Sequence, residues 1–156
     1  MAHGAGLAAI WGSWARYVCG ERIERFVQFA EHVMGVEPQE TEQKTAEAGI
    51  AAMEDFYREI HMPTSITELG IAPTEEQIKE LAEKCNAAVR GNLGKVKHLD
   101  VEDMIAIYTA AKKYFYRNSG INTIKNSMRK PLQNSYLQVL QGLVFCKNYF
   151  AKSIMI

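Results

Sequence analysis

The sequence predicts an all-α fold, a helical bundle, from three observations. Apolar residues recur at three- and four-residue steps through several separate stretches. Gly and Pro fall where those stretches end, next to residues suited to helix caps. No stretch of useful length alternates apolar and polar residues as a half-buried strand would. At 156 residues the chain is long enough for one domain with a substantial core.

The first element is the most apolar. From Leu7 to Val18 only Gly12, Ser13 and Arg16 interrupt apolar side chains. A helix apolar on nearly all sides must be buried on nearly all sides, so this one is expected at the centre. Gly20 is expected to cap it, and Glu21 to open a second helix with an acid near its positive end. In that helix Ile23, Phe26, Val27, Ala30, Val33 and Met34 form an apolar stripe opposite Glu24, Arg25, Gln28, Glu31 and His32. Gly35 stops it, and Glu37-Pro38-Gln39-Glu40 makes a polar connection.

A third helix starts at about Thr41 or Thr45, with Ala46, Ile50, Met53, Tyr57 and Ile60 on its buried side, and ends before Pro63. Ser65 and Glu68 have capping-box spacing and open one short turn that Gly70 closes. Thr74 and Gln77 repeat that spacing at the head of a fourth helix, whose Ile78, Leu81, Ala82, Cys85 and Val89 share a face. Gly91 and Gly94 end it. Asp100 is the next expected N-cap, with Asp103 at the third helical position and Leu99 stapled to Met104. Ile107, Tyr108, Ala111 and Phe115 then line the buried face of a fifth helix.

Charge divides the chain. Residues 1–116 hold 12 Lys/Arg against 18 Asp/Glu, whereas residues 117–156 hold 6 Lys/Arg and no acid. Within this basic tail a helix is expected from about residue 133, with Asn134, Gln138, Gln141, Asn148 and Lys152 on a narrow polar face. Its broad apolar face needs cover. Polar residues interrupt it too often for a bilayer span of roughly 20 residues. Six dispersed charges are a weak signal for nucleic acid or anionic lipid, and a tail that covers the helical core, or one foreign to the domain, is the simpler reading. Cys19, Cys85 and Cys146 are far apart and include no Cys-x-x-Cys pair, which suits free thiols in a reducing cytoplasm. No secretory leader pattern is present at the start of the sequence.

The stretch from Ala2 to Val18, beginning Ala2-His3-Gly4-Ala5-Gly6-Leu7-Ala8, resembles the last metal-ligand segment of the iron-containing (group III) alcohol dehydrogenases, and within them the butanol-dehydrogenase-like branch. The resemblance continues in order and spacing through Glu24 to Ala30, Val33 to Val36, Met62 to Ile66, Glu68 to Ile71 and Leu99 to Asp103. It ends near residue 116. What it implies is part of the helical C-terminal domain of a dehydroquinate-synthase-like fold. The parent enzyme would be NAD(P)-dependent, would oxidise small alcohols or reduce aldehydes, and would hold a divalent metal, iron or zinc, through one Asp and three His.

By position His3 would be the last of those ligands. The others and the phosphate-binding glycines precede this point in the family, so the chain reads as a C-terminal fragment, inactive alone, whose partner is the N-terminal nucleotide-binding domain or a second copy. Gly4-Ala5-Gly6 follows no strand and lacks the context of a dinucleotide fingerprint.

By spacing alone, His3 reads as a solvated histidine near a terminus. His32 falls on a polar helix face, His61 after the third helix, and His98 among Lys95 and Lys97. None of these three has an evident ligand partner. Trp11 and Trp14 either line an alcohol pocket beside His3 or pack in the core. Cys85 and Ser13 would need an activating base to serve as nucleophiles. Two further readings stay open: a non-enzymatic helical interaction protein, and a split-enzyme subunit complemented by a separate nucleotide-binding chain.

Overall fold

The computed structural model describes residues 3–113, and all its regular elements are helical. Helix α1 (His3–Val18) leads into a 3-10 turn (Cys19–Arg22), α2 (Ile23–Gln28) and a π-helical segment (Phe29–Val33). Helix α3 (Glu42–Glu59), a 3-10 turn (Thr67–Leu69), α4 (Glu75–Val89) and α5 (Val101–Lys113) complete the order. A single antiparallel bridge, Leu93 to Leu99, closes the loop between α4 and α5. The expected Phe115 and the expected tail helix lie outside the described residues.

Helix α1 is central, as its composition demands. Ala8, Ala9, Ile10, Trp14, Ala15 and Val18 are buried, and the helix packs against both α3 and α5. Around it Phe26, Ile50, Ile78, Leu81, Met104 and Ile107 complete one continuous core. Gly20 does not cap α1: it stays within the 3-10 turn, while Gly35, Gly70, Gly91 and Gly94 adopt the left-handed conformation.

The boundaries follow local chemistry. Thr41, not Thr45, caps α3 by accepting the Lys44 N–H. The Thr45 hydroxyl is buried, accepting the Gln39 N–H at 2.8 Å and donating to the Thr41 carbonyl. Thr74 and Gln77 form a reciprocal capping box at α4. Asp100 and Asp103 do the same at α5, with bonds of 2.9 and 3.0 Å. The Ser65 box closes differently. Its hydroxyl accepts the Glu68 N–H, but the Glu68 carboxylate turns to the Thr64 N–H at 2.7 Å. The backbone N–H of Ile66 donates to the Ala111 carbonyl at 3.2 Å, pinning this turn to the end of α5.

Two expected core positions are exposed. Val33 is 69% and Ile60 48% accessible. The π-helical segment changes the residue spacing at 29–33, so Val33 leaves the face shared by Phe26 and Ala30. Ile60 lies beyond the stretch of α3 that the preceding limb covers.

The helices approach most closely through small residues and one ion pair. A Cβ on Gly49 would fall 2.4 Å from the Ala30 Cβ, so α3 crosses the π-helical segment at nearly bare backbone. Arg16 of α1 reaches Glu54 of α3 with two parallel bonds of 2.7 and 2.8 Å. The Glu54 side chain is only 4% exposed, and Arg16 is 30% exposed. A Cβ on Gly12 would sit 1.8 Å from Glu54 Oε1, so only glycine admits the carboxylate. Removing one partner of a pair this buried strands a charge. Arg16→Ala is therefore expected to destabilise by about 3 kcal/mol, read by urea denaturation. The double change Arg16→Met/Glu54→Leu should recover most of that loss.

A second cluster ties α1 to the head of α5. The Tyr17 hydroxyl donates to Asp103 Oδ1 at 2.5 Å, and Lys97 Nζ donates to the same oxygen at 3.1 Å while lying over the Tyr17 ring. Burial alone would raise the Asp103 carboxyl, but the hydrogen bonds from Tyr17, the Asp100 backbone and Lys97 outweigh it and hold it below the usual carboxylate range. A carboxyl lowered on folding adds stability above its unfolded value, near 3.8, and loses it as pH falls through the lower folded value. Stability measured by denaturation at stepwise lower pH should therefore fall less steeply in Asp103→Asn than in the parent.

Candidate functional site

The head of α1 carries the residues singled out by their pattern. His3 is the first residue of the helix and is exposed, and Gly4 is exposed beside it. The opposite wall is the segment that follows α3. A Cβ on Gly4 would touch Met62 Cε at 3.6 Å, so the two segments are in ordinary van der Waals range. Between them lies a shallow depression of about 480 Å³, lined by Ala5, Arg58, His61, Met62, Pro63, Glu68 and Leu69.

Each lining group has a local cause. Arg58 stands in the last turn of α3, paired with Asp55 at 2.5 Å. His61 occupies the left-handed region, φ 59°, where the chain reverses out of the helix. Its backbone N–H donates to the Arg58 carbonyl, and that of Met62 to the Tyr57 carbonyl at 2.7 Å. Glu68 faces the depression while its carboxylate holds the Thr64 N–H. The depression thus combines one guanidinium, one imidazole and one carboxylate around a mostly apolar floor.

The remaining candidates are dispersed. Trp14 is buried in the core beside Phe26, with ring centroids 6.3 Å apart. Trp11 is half-buried, tilted against Phe29 at 5.8 Å and edge-to-face with Tyr57 at 6.0 Å. Neither tryptophan lines the depression. His32 and His98 are exposed on other parts of the surface. Burial pushes the Cys85 thiol up, a hydrogen bond with Tyr108 opposing it in part. The Ser13 hydroxyl is buried without a hydrogen-bond partner, and so without an activating base, among the described residues. A nucleophilic role suits neither.

A sequence model of the C-terminal domain of the Fe-containing alcohol dehydrogenase family matches residues 1–112. The chain belongs to that family. The match takes in all the helices described above except the last residue of α5, and the all-helical architecture is consistent with the helical domain of iron-type alcohol dehydrogenases. No curated protein and no solved structure matches the chain. The family implies a metal and NAD(P) in the parent enzyme.

Such an ion would need several donors gathered at one place. Among the described residues no three His, Cys, Asp or Glu side chains are gathered to hold a metal. Sites for these ions use about three or four protein ligands. His3 can be one of them, and the described residues do not complete the set. No helix of the described residues is long and apolar enough to cross a membrane.

The depression itself has no signature in the sequence. Arg58 and Glu68 had no reason to be placed near Ala5, because only the packing of the 62–66 loop on α1 unites them. Cys19 and Cys85 are both buried. In a Cys146→Ser background neither should react with Ellman's reagent at pH 8 until the chain is unfolded. Rapid colour development by the folded protein would show a reactive thiol.

Proposed function

We propose that this chain supplies helical C-terminal-domain structure to an iron-type alcohol dehydrogenase of the butanol-dehydrogenase-like branch, and that His3 is one protein ligand to its divalent ion. The single observation that carries the reading is the position of His3: an exposed imidazole at the head of the most buried helix, inside a segment that matches the family. The run His3-Gly4-Ala5-Gly6 supports the same assignment, since small neighbours let other groups come close to the ring. The order and spacing of Met62 to Ile66, Glu68 to Ile71 and Leu99 to Asp103 support the branch.

In the parent enzyme a divalent ion, iron or zinc, held in part by His3 would supply Lewis-acid chemistry, and NAD(P) would supply hydride chemistry, for a small alcohol or aldehyde. The contribution of this chain is positional. Burial of α1 and the Arg16–Glu54 pair fix the placement of the helix that begins at His3. Ala5, Met62 and Leu69 form apolar parts of the depression between the first turn of α1 and the segment after α3. The nucleotide-binding domain and the remaining ligands come from other polypeptide, either covalently continuous or a separate complementing chain. The dispersed thiols, two of them buried, fit a cytoplasmic enzyme.

Two outcomes follow. The purified chain, supplied with Fe²⁺ or Zn²⁺, should show no aldehyde-dependent oxidation of NADH or NADPH at 340 nm. Co-expressed with the nucleotide-binding half of a related iron-type enzyme that has been cut before its last histidine ligand, it should restore activity. His3→Ala should then lose about a hundredfold, the upper end of what loss of a ligand's supporting partner costs, with bound metal falling in parallel by elemental analysis. Activity of the chain alone, or full activity and metal content in His3→Ala, would sink the assignment.

A further inference from the structure

Thr45, Gly49, Met53 and Phe56 lie along one side of α3 at three- and four-residue steps, and its C-cap residue Ile60 continues the series. In its first half that side is closed. Thr45 is buried, and Gly49 lies against Ala30. In its last two turns it is open, with Met53 half-buried, Phe56 45% exposed and Ile60 48% exposed. The cause is a mismatch of lengths. Helix α3 runs 18 residues, whereas the limb packed on it consists of the 6 residues of α2 and the 5 of the π-helical segment. A packed seam therefore continues past its partner, which distinguishes it from scattered surface hydrophobes.

We propose that residues 133–156 of the same chain cover this seam, laid as an amphipathic helix along the end of α3. Three observations favour that occupant. The first is where the chain leaves the body. Ala111, near the end of α5, is bonded to Ile66, so the polypeptide departs beside the loop that directly follows Ile60 and the last turn of α3. The roughly 20 residues between α5 and residue 133 can extend about 3.3 Å each, so reach is not limiting.

The second is complementary surface. Residues 133–156 carry Leu137, Leu140, Val144 and Tyr149 on a broad apolar face, and a helix of this length spans about 36 Å, more than the last turns of α3 need. The third is charge. Exposed Glu59 and Asp55, the latter paired with Arg58, border the open seam and leave it a net negative charge, and Lys147 and Lys152 are the charged side chains of residues 133–156, which contain no acid. The inference is independent of the role assigned to His3.

Cross-linking in the full chain tests it. Cys146 lies within the proposed helix, and Cys19 and Cys85 are buried. Ile60→Cys and Met53→Cys, treated at low concentration with a short bismaleimide, should each give a link to Cys146 within one chain, identified by peptide mass spectrometry. Lys79→Cys, on the exposed side of α4, measures the level that tethering alone produces. The seam variants should exceed that control by about tenfold. Links equal to the control, or links formed only between chains, would overturn the proposal, the latter by assigning the seam to a second copy. In parallel, truncation after residue 116 should raise binding of an apolar dye, and Phe56→Ser/Ile60→Ser in the truncated chain should remove the increase. No increase on truncation would also count against it. Should the truncated chain fail to fold, the cross-link in the full chain decides.

Discussion

The Arg16–Glu54 pair constrains more of this structure than any other contact. It places a guanidinium and a carboxylate between the two longest helices, where unpaired charge would cost several kcal/mol. Because both bonds are made by a planar fork, the pair sets rotation as well as distance. Gly12 is its structural complement, leaving the volume that the carboxylate fills. With α1 held in this register against α3, Trp11 meets Tyr57 and the Met62 loop folds over Gly4.

That register connects packing to the candidate site. The head of α1 projects His3 while the rest of the helix is enclosed by α3 and α5. In the proposed role of His3, a buried helix would hold the imidazole's backbone more stiffly than a loop would. The depression lined by Ala5, which His3 does not line, is formed where α3 ends, next to the left-handed turn at His61. Membership in the Fe-containing alcohol dehydrogenase family gives this geometry its meaning, since one imidazole has little specificity by itself.

Much of the architecture was legible in the residues. The apolar run from Leu7 to Val18 marked α1 as central, and the Thr74 and Asp100 boxes located the starts of α4 and α5. These features depend on short-range chemistry, which periodicity and capping report directly. The misplaced features depend on partners. Gly20 resembled a helix stop, but continuation into the 3-10 turn keeps Cys19 buried in the core. Val33 and Ile60 match the apolar period of their helices, yet period tells only which side a residue shares, not how far its neighbour extends. Arg16 offered a clue, being the lone charge in an apolar helix and so in need of a counter-charge. The candidates for that partner were many, and Glu54 was indistinguishable among them.

By itself the sequence determined that the chain is helical, where most helices begin, and which family segment His3 opens. Those properties arise from hydrogen bonds within a turn or two, from apolar spacing and from a distinctive local motif. Tertiary structure alone decided that Glu54 is the buried partner of Arg16, that Arg58 and Glu68 share a depression with Ala5, and that the seam of α3 outruns its cover. Each of these depends on the distance and angle between elements far apart in the chain, which follow from the fit of whole helix surfaces.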